Sequence, residues 1–247
     1  FANEHRMNLG AVKWVVGEDY SAAPTCATCH MSATPTMAVT HNVGQRISWN
    51  NRPAVSIRPE IADAAAGLPG AHIPWQQRRQ NMTNVCLSCH DPNYVDGFYV
   101  QYDGLVDLYN SKFGEPGQRL YDLARPLLQP SQFSNPLDFI WFDLWHREGR
   151  RARHGAAMMG PAYAYSSGMY EVARRFYSEF VPELRRLAAE ARVSDDPRQV
   201  PAGEALQAAL DEVLASDDHK WFLGRMDPDE AARRRRATKD SALRSDK

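Results

Sequence analysis

At 247 residues the chain is long enough for one large domain or two smaller ones. Its 43% apolar and 24% charged residues match a folded globular protein, which excludes wholesale disorder. With 29 Lys and Arg against 30 Asp and Glu the net charge is -1, so no overall field would hold the chain on nucleic acid or anionic lipid. The longest strongly apolar stretch, residues 139–145, is interrupted by Asp143 and is far shorter than the roughly 20 residues of a membrane-spanning helix.

The chain opens FANEHRMNLG, without an initiator methionine or a leader of basic and apolar regions. Asn3 to Val15 reads as a helix already under way, because no Ser, Thr or Asp caps its first apolar positions. The expectation is a fragment, or a subunit whose remaining part lies elsewhere. Residues 17–55 are rich in Ala, Thr, Pro and Asn, with little helical periodicity after Met31. They hold the first of two Cys-x-x-Cys-His runs, Cys26-Ala27-Thr28-Cys29-His30; the second is Cys86-Leu87-Ser88-Cys89-His90.

After Pro92, the positions Phe98, Tyr102, Leu105, Tyr109 and Phe113 recur at steps of three and four and predict a helix that stops near Gly114. Asn135 and Pro136 form a cap and first turn for a helix through Phe139, Phe142 and His146. His154, eight residues on, is expected on a similar side, so that both histidines face one cofactor. Past Gly160 and Pro161 comes the longest pattern, with Met169, Val172, Phe176, Phe180, Leu184, Leu187 and Ala191 in near-heptad steps; Pro182 should kink or restart it. Residues 203–215 predict a shorter amphipathic helix. The last twenty residues, with Arg233 to Arg236 and many small polar residues, read as a flexible tail; if ordered, the tail is expected against a partner surface. No alternating strand pattern appears, so the predicted class is mainly α. The predicted segments are 1–93 with the two motifs, a helical region 94–225, and a polar basic tail 226–247.

All four cysteines belong to the two identical motifs. The spacing puts two thiols about one helical turn apart, where they add to the two vinyl groups of a haem, and the next histidine becomes an axial ligand of the iron. The cofactor expected is haem c, two groups covalently attached, with Cys26, Cys29, Cys86 and Cys89 as tethers and His30 and His90 as proximal ligands. A four-cysteine zinc site is the competing reading. It gives no reason for a histidine directly after each pair, and the stretch between the pairs is too long for a zinc ribbon. Thioredoxin-like redox chemistry fits less well still. Attachment of haem c takes place outside the cytoplasm, so the expected compartment is a bacterial periplasm or its equivalent.

Of the eight histidines, six remain after the proximal pair: His5, His41, His72, His146, His154 and His219. Two bis-histidine haems need only two of them. The surplus points to haems carried on another segment or chain. With the fold class, this makes the chain a multihaem cytochrome c segment followed by long packed helices.

The runs APTCATCHMSATPTMAVTHNVGQRISWNNRPAVS, NVCLSCH, FYVQYDGLVDLYNSKF and LWHREGRRARHGAAMMGPAYAYSSGMYEVARRFY resemble, in order, the C-terminal half of the octahaem hydroxylamine oxidoreductase family, over roughly residues 1–180. The resemblance implies a periplasmic trimer that oxidises hydroxylamine or hydrazine, with further haems and the catalytic one on a missing N-terminal half. It also implies that Tyr163, in MMGPAY, bonds covalently to the catalytic haem of a neighbouring subunit. His41, in THNVG, is the first candidate for a distal ligand, followed by His154 and His146. The sequence departs from the family where a PDYxxWHG-like run would stand: it has Pro161-Ala162-Tyr163-Ala164-Tyr165-Ser166-Ser167-Gly168, which lacks an acid and a possible ligand and makes Tyr165 a second candidate for the crosslink. The partners implied are a homo-oligomer or a chain carrying the other haems, a small nitrogenous substrate and a redox partner cytochrome. Two alternatives stay open: a multihaem electron conduit with no substrate site, and a reductive enzyme turning nitrite or hydroxylamine into ammonia.

Overall fold

The computed structural model describes residues 25–67 and 73–245, with side chains as far as residue 236. The helix predicted at Asn3 to Val15, and with it His5 and His72, lies outside the described residues. The helices are α1 (Cys26–Met31), α2 (Pro59–Ala65), α3 (Trp75–Cys86), α4 (Pro92–Tyr109), α5 (Glu115–Ala124), α6 (Pro136–Phe142), α7 (Arg150–Ala157), α8 (Tyr170–Arg175), α9 (Val181–Arg192), α10 (Gln199–Ala215) and α11 (Pro228–Ser245). Among the described residues there is no strand; isolated bridges pair Thr34 with Met37 and Asn50 with Ile57. The fold is mainly α, as the absence of alternating patterns predicts.

The chain forms two compact units. One comprises the described residues of Phe1–Arg119 together with Gln129–Pro182, and contains both Cys-x-x-Cys-His motifs. The other comprises Leu120–Leu128 and the described residues of Glu183–Lys247. The division follows packing, so it cuts across the motif, helix and tail segments expected from composition.

In the first unit, the Asp91 side chain accepts a hydrogen bond from Asn93 N (2.8 Å) and Pro92 occupies the first turn, which starts α4. Val95, Tyr99, Tyr102, Val106 and Tyr109 are its buried face. The helix does not stop at Gly114. It passes through a π turn, Asn110–Gly114, directly into α5. Gly114 is small because of its neighbours: a Cβ there would lie 3.1 Å from the Tyr109 ring and 3.3 Å from the Ala54 carbonyl oxygen. The glycine read as a terminator therefore serves close packing.

Three further π turns occupy Asp143–Gly149, Ala162–Met169 and Phe176–Phe180. Each wide turn changes the register of the face that follows it. The last explains how the helix passes Pro182: Val181 N bonds to Phe176 O, five residues back, and the ladder is already reset where the proline has no N–H to give. Val172, Phe176 and Phe180 are fully buried, as the heptad pattern predicts. Phe113 meets Phe176 edge-on at 5.3 Å, and Trp141 packs on Phe180 at 5.6 Å.

Helix α7 and the π turn Ala162–Met169 approach closely through glycines. A Cβ on Gly155 would lie 2.7 Å from Ala164 N, and one on Gly168 would lie 2.6 Å from Ala152 Cα. Between them, Met159 takes the left-handed conformation (φ 56°), one residue before the glycine that usually fills such a position.

A charged cluster fixes α3 against α4. Arg79 of α3 donates two hydrogen bonds of 2.6 Å to the Asp103 carboxylate of α4, and Trp49 Nε1 donates a third at 2.8 Å. Burial by itself raises the Asp103 carboxyl, but the bonds from Arg79 and Trp49 outweigh it and hold it below the usual carboxylate range. The unfolded chain therefore binds the proton more readily, so this stabilisation is full above about pH 4 and is lost as the pH falls. Asp103→Ala is expected to cost about 2 kcal/mol in urea unfolding at pH 7, the range for hydrogen bonds to a partly buried charge. The gap between the two chains should close below about pH 4; a constant gap at all pH values would contradict the assignment.

In the second unit, Gly203 of α10 lets Ala191 of α9 come close, since an added Cβ would be 2.7 Å from the Ala191 Cβ. Leu206, Leu210 and Leu214 are buried along the predicted face of α10. The tail expected to be flexible is helix α11. Asp227 accepts from Asp229 N and Glu230 N at 2.9 and 3.0 Å, Pro228 fills the first turn, and Glu230 pairs with Arg234 at 2.6 Å. Local capping outweighs the polar composition, and Arg233 to Arg236 stand exposed on this helix.

Candidate functional site

The first motif is helix α1. Thr25 caps it: its hydroxyl accepts from Thr28 N, while Thr25 N donates to the Thr28 hydroxyl, both at 3.2 Å. This reciprocal box winds Cys26 and Cys29 into one helical turn and delivers His30 at its end. The second motif forms where α3 ends. Cys86 closes the helix, and its carbonyl accepts from both Cys89 N (3.0 Å) and His90 N (2.9 Å). His90 stacks on Tyr94 at 4.6 Å. All four cysteines are free thiols.

The two motifs border one cavity of about 620 Å³. Cys29, His30, Cys86, Cys89 and His90 line it, together with Trp49, Met82, Val95, Phe98, Tyr99 and Tyr102, and with His154, Met158 and Met159 from the end of α7. The aromatic wall is held from behind. Asn51 Nδ2 donates to the Tyr102 hydroxyl (2.9 Å), Asn110 clasps the Ser56 backbone with bonds of 2.9 Å, and Arg58 lies 3.5 Å over Trp49. Burial pushes the Tyr102 phenol up to about 12, so it stays protonated.

The electrostatics of the motifs separate the possible chemistries. Burial, and then the neighbouring Cys29 thiol, push Cys86 up to about 11. Burial and Cys26 raise Cys29 against the opposing charge of Arg46. A dithiol redox centre keeps its attacking thiol low, whereas Cys86, the first thiol of its pair, is raised. His30 is shifted down, by burial first and by Arg46 second, which favours the neutral imidazole with one nitrogen unprotonated; its Nδ1 is buried and has no hydrogen-bond partner. A neutral imidazole is the form that binds iron. Among the described residues no group of three His, Cys, Asp or Glu side chains is arranged to hold a bare metal ion, as a four-cysteine zinc site requires. Paired tethers, an adjacent neutral histidine and an aromatic cavity of this size fit a porphyrin.

The structure brings His154 to the cavity with the two motifs, and leaves His41, His146 and Tyr163 off its wall. His154 lines the cavity; burial, followed by Arg153, Arg150 and Arg52, lowers its pKa. His146 accepts a 3.0 Å hydrogen bond on Nε2 from Arg150 and stacks on Phe142 at 4.4 Å. It lies in the π turn Asp143–Gly149, and the altered twist there separates its direction from that of His154, which follows in regular α-helix. His41 is exposed on the loop before the turn at Val43–Arg46, and His219 is buried in the second unit. Tyr163 and Tyr165 stand on the π turn Ala162–Met169, each 55% exposed. Sequence reasoning did not single out Arg46, Trp49 or Met159 as site residues. Only the cavity unites them, although Trp49 and Arg46 do stand in the polar, non-periodic run after the first motif.

Two Cys-x-x-Cys-His turns on one aromatic cavity define a site of cytochrome c type. Residues 6–109 match the family model described as "Seven times multi-haem cytochrome CxxCH", a stretch that contains both motifs and ends with α4. No curated protein and no solved structure matches the chain. The cofactor is covalently bound haem c, and the match supports a multihaem cytochrome c whose chemistry is haem-based electron transfer. Among the described residues no helix is long and apolar enough to cross a membrane.

Proposed function

We propose that the chain is an electron-relaying component of a periplasmic complex of the hydroxylamine oxidoreductase type, oxidising hydroxylamine or hydrazine. The observation that carries this reading is the single cavity bordered by both motifs and by His154. Bound haem c supplies reversible one-electron chemistry. Cys26 and Cys29 would tether one haem and Cys86 and Cys89 a second; His30 and His90 would be their adjacent iron ligands, and His154 the candidate for a further one. Trp49, Phe98, Tyr99 and Tyr102 exclude water, which keeps the surroundings of the iron apolar and its reorganisation on electron transfer small.

Tyr163 is the residue proposed to bond to the catalytic haem of a neighbouring subunit in a trimer, with Tyr165 as the second candidate. Their exposure on a turn packed closely against α7 through Gly155 and Gly168 supports this. His41 and His146, off the cavity wall, are proposed as ligands toward haems of another segment or chain. In the native complex with a cytochrome acceptor, Tyr163→Phe is expected to abolish hydroxylamine and hydrazine oxidation while both haems of this chain persist. Full activity in that variant, or an unmodified Tyr163 in a mass map of haem peptides, would leave the electron conduit without a substrate site as the better reading.

A further inference from the structure

Arg46 lies at the end of the turn Val43–Arg46, is 2% exposed, and lines the cavity. Its Nη1 donates to the Cys29 carbonyl (2.8 Å), and Nη2 donates to the Ser32 carbonyl. Its Nε is buried and has no partner. The other cavity cation of similar burial, Arg78 of α3, is neutralised by Asp63 at 2.5 Å. Arg153 is also fully buried, but each of its three nitrogens meets an oxygen. Among the described residues, Arg46 pairs with no carboxylate.

A buried guanidinium whose partners are two carbonyls and, at 3.4 Å, the Ser32 hydroxyl is costly, because neutral dipoles offset its lost hydration without neutralising its charge. The other groups around it do not supply the missing anion. From α1 the cavity wall beside it carries Cys29 and His30, neither of them a carboxylate; from α3 it carries Arg78, already paired with Asp63. The compensating charge must therefore come from the occupant of the cavity.

We infer that Arg46 binds a carboxylate of the cavity's occupant, a haem propionate, through its guanidinium. The inference rests on the haem reading. It adds a residue beside the tether: Arg46, bonded to the Cys29 carbonyl, would also hold a propionate and so limit movement of the attached cofactor. It would also set a permanent positive charge on the wall of the cavity that holds the haem, which favours the reduced state.

The test compares Arg46→Gln and Arg46→Lys with the unaltered full chain, by haem-to-chain stoichiometry, spectroelectrochemical potential and resonance Raman of the propionate-bending mode. Arg46→Gln is expected to keep both haems and to lower the reduced-to-oxidised ratio of one of them roughly tenfold at fixed ambient potential, about 59 mV for one electron. Its propionate band should shift, and Arg46→Lys should recover most of the potential. In the unaltered chain the band should move in D2O, because its partner is an N–H group; this holds even if Arg46→Gln does not fold. Unchanged potentials and bands, or a propionate mode insensitive to D2O, would overturn the inference. A chain with no haem at all would instead overturn the underlying reading.

Discussion

With Cys86→Ser and Cys89→Ser together, the chain is expected to carry one covalent haem in place of two. Pyridine haemochrome per chain falls to half, and the intact mass falls by one haem. The argument is local. The two thiols sit at the closing turn of α3, where the Cys86 carbonyl holds Cys89 N and His90 N within 3.0 Å. Serine preserves that hydrogen bonding and removes only the sulfur that forms the thioether. The capping box of Thr25 and Thr28 stays intact, so the first site is expected to load normally. The effect on stability should be large as well, because the aromatic side chains around about 620 Å³ of cavity lose an occupant. An unchanged haemochrome yield would refute the assignment of the second motif, and a metal analysis of the unaltered chain that returned zinc without haem would refute both.

Arg153→Ala should be the most destabilising single change outside the motifs, by about 3–5 kcal/mol in guanidinium unfolding. Arg153 is 0% exposed and reaches two parts of the first unit that are far apart in sequence. It donates to Gly149 O and Trp145 O on its own helical stretch, and to Pro53 O (2.9 Å) and Ser56 Oγ (2.8 Å) on the loop that forms the cavity wall. Its guanidinium also lies 4.2 Å over the Tyr109 ring. Truncation leaves a hole, strips the Pro53 carbonyl of its donor, and unties the loop carrying Trp49 and Asn51 from α7. Arg153→Lys keeps the charge but cannot span four acceptors, so it should recover only part of the loss. A loss under about 1 kcal/mol for Arg153→Ala would show that the loop is held by its other bonds, those of Asn51, Ser56 and Asn110 together with Arg150 on the Arg52 carbonyl and Tyr109 on the Ala54 carbonyl.

The helical regions were legible because each leaves a periodic trace. Phe98 to Phe113 and Met169 to Ala191 repeat at helical steps whatever they pack against, and Asn135 with Pro136 opens α6 by local chemistry. The errors were made at residues with more than one physical role. Gly114 reads as a stop, but its lack of a side chain is used for contact with Tyr109 and Ala54. The basic tail reads as unstructured, but Asp227 and the pair of Glu230 with Arg234 are enough to cap and start a helix. The pairing of His146 with His154 assumed a uniform twist that the π turn at Asp143–Gly149 does not keep.

The sequence by itself determined the cofactor chemistry and the helical class, because thiol spacing, the adjacent histidine and apolar periodicity are properties of short segments. Only the tertiary structure decided that the two motifs share a cavity, that His154 joins them while His41 and His146 do not, and that Arg46 is a buried charge without a carboxylate. Those facts depend on contacts between residues distant along the chain, set by π turns and glycine contacts whose effect on register has no periodic signature.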